Sequence, residues 1–245
     1  GATGPALNDQ LAAHGYQLRH YPQSYEFSTL GGWLATRAGG HFATRYTHID
    51  DFVQGVRAVT PAGTLETGGV PASGAGPDPN RFLLGSEGAF GVITEATLRV
   101  QPRPPHRSRA TVKFGDWEQA VAATREVVQA RLGPAQCRLL DRTEAMLEEV
   151  ATDGSHVLLL GFESLAGPTA EPMARALAIC EDRGGEVAAG PTHRGPDDEA
   201  GAASDYRSAF FEAPYRFNEL VSLGVLVDTF ETAVTWDRFP ALHEA

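Results

Sequence analysis

The sequence predicts an α+β protein built in two parts, and three observations predict it. Gly85-Ser86-Glu87-Gly88-Ala89-Phe90-Gly91 is a glycine-rich loop directly ahead of an alternating strand, Val92 to Val100. Glycine admits positive φ and lets a ligand approach the main chain without a Cβ in the way. After residue 105 the order strand–helix–strand occurs twice, the pattern of an antiparallel sheet carrying helices. Between the two parts lies Pro102-Arg103-Pro104-Pro105. A proline cluster after a strand stops sheet pairing and marks a boundary. The expected division is 1–104 and 105–245.

Residues 4 to 16 carry Leu7, Leu11 and Ala12 on one helical face, closed by His14-Gly15, a C-terminal glycine signal. Tyr21 to Gly40 reads as a loop rich in Gly, Ser and Thr. Gly31-Gly32 and Gly39-Gly40 bracket Trp33-Leu34-Ala35, and Ser24, Ser28, Thr29 and Thr36 supply short hydroxyls. By themselves these hydroxyls equally make a capped turn with no ligand. Asp51 to Gly69 reads as a hairpin turning at Pro61-Ala62-Gly63. Gly69 to Pro79 is a Gly/Pro/Ser loop, and Asn80 to Leu84 a helical turn that delivers Gly85–Gly91, the organising loop of this half.

The second part opens with the strand Ala110–Phe114. Asp116 can N-cap the next helix with Gln119 three residues on. Trp117, Val121 and Val128 are its apolar stripe, and Gly133-Pro134 ends it. A strand from Gln136 to Leu140 and a helix from Arg142 to Val150 follow. Then come a strand from His156 to Glu163, a helix from Thr169 to Arg183, and a strand from Glu186 to Ala189. Gly195 to Asp205 is a solvated acidic loop, Tyr206 to Glu212 a helix, and Val221 to Thr229 a strand.

Composition sets the outer limits. The chain has 245 residues, 42% hydrophobic, with a formal net charge of −11, ordinary for a globular protein. That charge argues against a nucleic-acid partner, though a local arginine cluster can still serve an anion. Two cysteines, Cys137 and Cys180, make no disulfide framework. Cys180 shares a helical stripe with Met173 and Leu177, as a buried thiol would. The histidines have no paired spacing, so no metal site is expected, and His41 and His48 are assigned nothing. Apolar runs such as Val157-Leu158-Leu159-Leu160 are far too short for a transmembrane segment. With no signal peptide visible, the expectation is a cytoplasmic protein; attachment to a membrane surface and a homodimer are left open.

Three stretches carry a family resemblance. The loop Gly85–Gly91 resembles one shared by the vanillyl-alcohol-oxidase (PCMH-type) FAD-binding flavoproteins. The stretch Pro22 to Gly40 and the run Asp228-Thr229-Phe230-Glu231-Thr232-Ala233-Val234-Thr235-Trp236-Asp237-Arg238 are similar to alkyldihydroxyacetonephosphate synthases. The resemblance implies the later half of a PCMH-type FAD-binding domain, followed by part of an α+β substrate-binding cap with an antiparallel sheet. It implies FAD as cofactor, contacted by Gln23, Ser24, Tyr25, Glu26, Phe27, Ser28 and Thr29, by Thr36, Arg37, Ala38 and Gly39, and by Glu87, Gly88, Ala89, Phe90, Gly91, Val92 and Ile93. Val92 and Ile93 would act through their backbone.

The same resemblance makes Arg138 and Arg216 substrate residues, Arg216 for a phosphate or carboxylate that a guanidinium grips bidentately. For Arg138 an ion pair with Asp141 or a glutamate is the equal alternative, since an unpaired buried charge is costly. Relatives carry Arg-Asp after the tyrosine where this chain has Arg216-Phe217-Asn218. The implied activity replaces the acyl group of acyl-dihydroxyacetone phosphate with a fatty alcohol through a flavin N5 adduct. The alternative is FAD-dependent oxidation of a D-2-hydroxy acid. The family's pyrophosphate loop, catalytic tyrosine and histidine cluster have no counterpart here. The chain therefore reads as a fragment expected to bind FAD poorly alone, and a non-catalytic piece is the third reading.

Overall fold

In the computed structural model the described residues are 1–42, 48–68, 74–195, 215, 219–226 and 230–244. Hydrophobic packing divides them into an N-terminal lobe with one core and a C-terminal lobe with a cluster on each face of its sheet.

The N-terminal lobe begins with α1, Gly4–Ala12. Asn8 ties this helix down: its Oδ1 accepts from Leu18 N at 2.9 Å and its Nδ2 donates to the Tyr25 hydroxyl at 2.9 Å. A short strand β1, Tyr16–Gln17, follows. Inside the stretch expected as pure loop lies a helix, α2, Leu30–Thr36. Gly31-Gly32 conceals it in the sequence, because glycine costs about 1 kcal/mol per residue in a helix. The Thr29 side chain caps it by accepting from Gly32 N, and Trp33 and Leu34 anchor it in the core; burial outweighs propensity.

The hairpin β2 (Val53–Thr60) and β3 (Gly63–Glu66) forms as expected. After α3, Pro79–Leu83, the strand β4, Val92–Leu98, pairs with β2, giving the antiparallel order β3-β2-β4. Leu18, Trp33, Leu34, Ile49, Phe52, Val56, Ala58, Leu83 and Leu84 fill this lobe. A strand β5, Gln101–Pro102, returns to β1.

The C-terminal lobe runs β6 (His106–Phe114), α4 (Trp117–Gln129), β7 (Gln136–Leu140), α5 (Arg142–Leu147), β8 (His156–Ser164), α6 (Ala170–Asp182) and β9 (Glu186–Arg194). The sheet order is β7-β8-β6-β9, antiparallel throughout. This is the split β-α-β arrangement, in which each crossover helix skips one strand. β6 alternates buried and half-buried residues with period two, whereas β8 is buried on both faces from His156 to Phe162. Leu158, Leu160 and Phe162 face α4 and α6; Val157 and Leu159 face α5 with Leu140 and Ala145.

Asp116 caps α4 as expected, accepting from Gln119 N at 2.9 Å. The buried stripe of α4, however, is Ala120, Ala123 and Val127, not Trp117, Val121 and Val128. Small residues let the helix lie close to the sheet, and Val128 points out. β9 runs on to Arg194, well past Ala189, because β6 keeps offering it partners as far as Arg107. The expected strand from Val221 also differs. Residues 219–222 are helical, closed by Gly224 at φ 81 with Val225 N donating to Leu220 O. The expected helix Tyr206–Glu212 and most of the acidic loop lie outside the described residues.

Candidate cofactor-binding site

The two glycine-rich stretches meet. Gly85 N donates to Leu34 O and Glu87 N to Ala35 O, each at 3.0 Å. The organising loop is thus bonded to the last turn of α2. Arg37 ends that helix in the left-handed conformation (φ 54), and its Cβ stands 3.3 Å from where a Cβ of Gly85 would be. Thr36 bonds back to Gly32 O. Ala38 and Ile93 pack on the same N-terminal core, and Gly39 bridges to His48. The Arg37 guanidinium is held by Asp50, with Nη2 2.8 Å from Oδ2, and Arg81 reaches the same oxygen at 3.1 Å. Nothing local in the sequence marks Asp50 or Arg81 for this role.

The loop itself is a tight turn. Ala89 N donates to Ser86 O, and the central residues Glu87 and Gly88 have φ 48 and 86. Positive φ at both positions is the type I′ geometry. Residues Glu87 to Phe90 are exposed, as is Val92. Phe90 stacks on Phe82 at 4.2 Å. A Cβ on Gly88 would find no heavy atom within 4 Å, whereas one on Gly91 would meet Val59 O at 2.4 Å. Gly91 is therefore needed by the sheet, and Gly88 leaves an open backbone face braced from behind. An exposed, fixed main-chain surface of this kind fits a flat cofactor.

Gln23 to Thr29 divides by orientation. Tyr25 turns inward: it stacks on Trp33 (interplanar angle 17°) and accepts from Asn8, and its burial raises the phenol pKa. Ser28 Oγ accepts from Trp33 Nε1 and donates to Ser24 O. Thr29 caps α2, and Gln23 is half-buried. Glu26 and Phe27 point out, and a distant segment meets them. The Tyr215 hydroxyl donates to Glu26 Oε2 at 2.7 Å, which raises the Tyr215 pKa, and its ring packs edge-on to Phe27. Glu231 also reaches the site, its Oε2 3.4 Å from the place of a Gly39 Cβ. Arg216 lies outside the described residues, but its neighbour Tyr215 sits on the loop. Arg138 Nη2 pairs with Glu144 Oε1 at 3.2 Å, both groups partly exposed, while Asp141 caps α5 instead. Among the described residues no group of three or more His, Cys, Asp or Glu could hold a metal ion.

A flavin-binding lobe joined to an α+β lobe defines a class, and comparison with known proteins gives the same one. An FAD binding domain family matches residues 1–69, and the family of FAD linked oxidases, C-terminal domain, matches residues 103–245. The chain belongs to the FAD-linked oxidase family; it is an enzyme whose cofactor is FAD. It is 32% identical to alkyldihydroxyacetonephosphate synthase of Caenorhabditis elegans over 99% of this chain and 44% of that protein. To the Dictyostelium discoideum synthase it is 41% identical over 60% of this chain and 24% of that protein. A solved alkyldihydroxyacetonephosphate synthase superposes with TM-score 0.80 at 28% identity, covering 99% of this chain and 49% of the other. The chain thus spans less than half the length of these relatives. No helix among the described residues is long and apolar enough to cross a membrane.

Proposed function

We propose that the flavin-loaded protein exchanges the acyl group of acyl-dihydroxyacetone phosphate for a fatty alcohol. The observation that carries this reading is the match to synthases over 99% of the chain, in sequence and in structure. In the exchange the bond from the substrate carbon to the acyl oxygen breaks and the fatty acid leaves. The alcohol oxygen bonds to the same carbon and gives up its proton. No electrons are gained or lost overall.

When bound, FAD supplies the isoalloxazine at which the exchange takes place. The chain supplies position and charge. Residues 1–104 form the FAD-binding portion. Main-chain groups of 87–93 and 36–39, with Gln23 to Thr29, line the cofactor. Residues 105–245 form the cap that holds substrate. Arg216 grips the phosphate bidentately, and Arg138 stabilises negative charge on substrate, its own charge balanced by Glu144. Tyr215 and Glu231 bring the cap's later segment onto the cofactor loop.

The test begins with the flavin-loaded protein under anaerobic conditions and a panel of D-2-hydroxy acids. The expected result is that no acid bleaches the oxidised-flavin absorbance while dithionite does. Incubation with palmitoyl-dihydroxyacetone phosphate and labelled hexadecanol should then give labelled ether product and free palmitate. Rapid bleaching by one acid would replace the exchange reading with 2-hydroxy-acid oxidation.

A further inference from the structure

Arg19 is an arginine the cofactor site does not use, and it is almost fully buried, with 4% of its side chain exposed. It follows β1 in the N-terminal lobe, yet its partners belong to the other lobe. Nε donates to Glu163 Oε2 at 2.9 Å, on β8. Nη2 donates to the carbonyl of Ala135 at 3.1 Å, the residue directly before β7. The guanidinium carbon lies 4.0 Å over the ring of Phe42, back in the N-terminal lobe. Ala135 N in turn donates to Gly161 O, locking the start of β7 onto β8. One planar head group therefore grips the shared end of two paired strands.

Burying such a pair is a poor route to stability, because desolvation offsets the attraction, and apolar replacements of both partners are often neutral or better. What the fork does provide is fixed geometry, since its donors leave in set directions. The strand it holds is the one that carries Arg138, a short step beyond Gln136 in register with β8. We propose that Arg19 is a positioning residue: by pinning the start of β7 to the FAD-binding lobe, it sets where Arg138 stands relative to the cofactor. This rests on the substrate role given to Arg138 above.

The test compares the full chain with four variants of it. The double variant Arg19→Met/Glu163→Met removes both charges together, and Arg107, which lies 3.9 Å from Glu163 Oε1 and is 37% exposed, keeps its bond to Pro104 O. Arg19→Lys keeps the charge but not the fork. Arg138→Ala is made alone and combined with the double variant. For the exchange reaction, Arg19→Met/Glu163→Met should raise KM for palmitoyl-dihydroxyacetone phosphate roughly tenfold with a much smaller change in kcat, as loss of a contact made equally to bound substrate and transition state does. Arg19→Lys should fall between it and the parent. In the Arg138→Ala background the double variant should add nothing further, since the two act through one path.

Scanning calorimetry of the apoproteins gives a readout that needs no activity. The parent should unfold in one transition and Arg19→Met/Glu163→Met in two, as the lobes uncouple. A single transition in the variant, or KM effects that multiply with those of Arg138→Ala, would overturn the proposal. If Arg138→Ala itself leaves KM unchanged, the substrate role of Arg138 fails and the positioning role falls with it, while the calorimetric result stands separately.

Discussion

Gly88→Ala separates what the loop Gly85–Gly91 does for the fold from the cofactor role we propose for it. The perturbation is one methyl group at φ 86, with no heavy atom within 4 Å of it. No clash arises inside the protein, so the stability cost is the left-handed backbone penalty alone, roughly 1–2 kcal/mol. At about 2–4 °C per kcal/mol for a chain of this size, apoprotein melting should fall on the order of 5 °C. The methyl stands on the open face of the loop, where the flavin would lie. Pushing the cofactor off that face should weaken FAD binding by about tenfold or more, about 1.4 kcal/mol. The assay is titration of FAD into apoprotein, followed by flavin fluorescence, beside thermal melts. Gly91→Ala is the contrast: its methyl would meet Val59 O at 2.4 Å, so folding itself should suffer. FAD affinity within twofold of the parent in Gly88→Ala, with the small melting shift as worked, would refute the idea that this face holds the cofactor.

Two further outcomes follow from buried groups. Burial against Trp33 and Phe52, with His48 nearby, lowers the His20 pKa from 6.5 to about 4. The folded state thus resists the proton that the unfolded state accepts, and stability should drop by roughly 3 kcal/mol as pH falls from about 6.5 to about 4. His20→Leu, which removes the titration, should flatten that part of a urea-unfolding profile against pH. Cys137 and Cys180 are both pushed up to about 12, chiefly by burial. Neither thiol should react with Ellman's reagent in native protein at pH 8, and both should react once it is unfolded; fast native labelling would contradict their packing.

Much of the fold was legible because its punctuation is local. Pro61-Ala62-Gly63 turns the hairpin, Asp116 caps α4, and Met173, Leu177 and Cys180 do line the buried face of α6. What failed to show depends on tertiary context. Helix α2 is hidden by its own glycines, and the buried stripe of α4 by alanines that score weakly as hydrophobes. Gly224 ends a helical turn where the apolar run from Val221 reads as a strand. In the site, the glycine loops were visible, but their joining through Leu34 and Ala35 was not. Nor was the pairing of Arg19 with Glu163, 144 residues apart in sequence. Such contacts carry no periodicity and no fixed spacing.

Glu87 offers a sharper way to ask which parts of the site exist for function. A type I′ turn favours Asn or Gly at the first central position, yet this turn has glutamate there at φ 48. Non-glycine residues held at positive φ are a store of strain that gathers at functional sites. Among the described residues there are three others: Arg37 is the C-cap of α2, and Arg131 and Glu149 close the ends of α4 and α5. Those three sit where helices commonly end in that conformation. Of these four described residues, Glu87 alone stands in a tight turn ahead of a strand, exposed and bonded through its N–H to Ala35 O. Glu87→Asn should therefore stabilise the apoprotein by about 0.5–1 kcal/mol by relieving the backbone. If the carboxylate itself serves the cofactor, the same change should weaken FAD binding, the trade expected where stability yields to function. A variant that is more stable and binds FAD as tightly as the parent would show that only the main chain of this turn matters. The strain at Glu87 would then be without a functional reason.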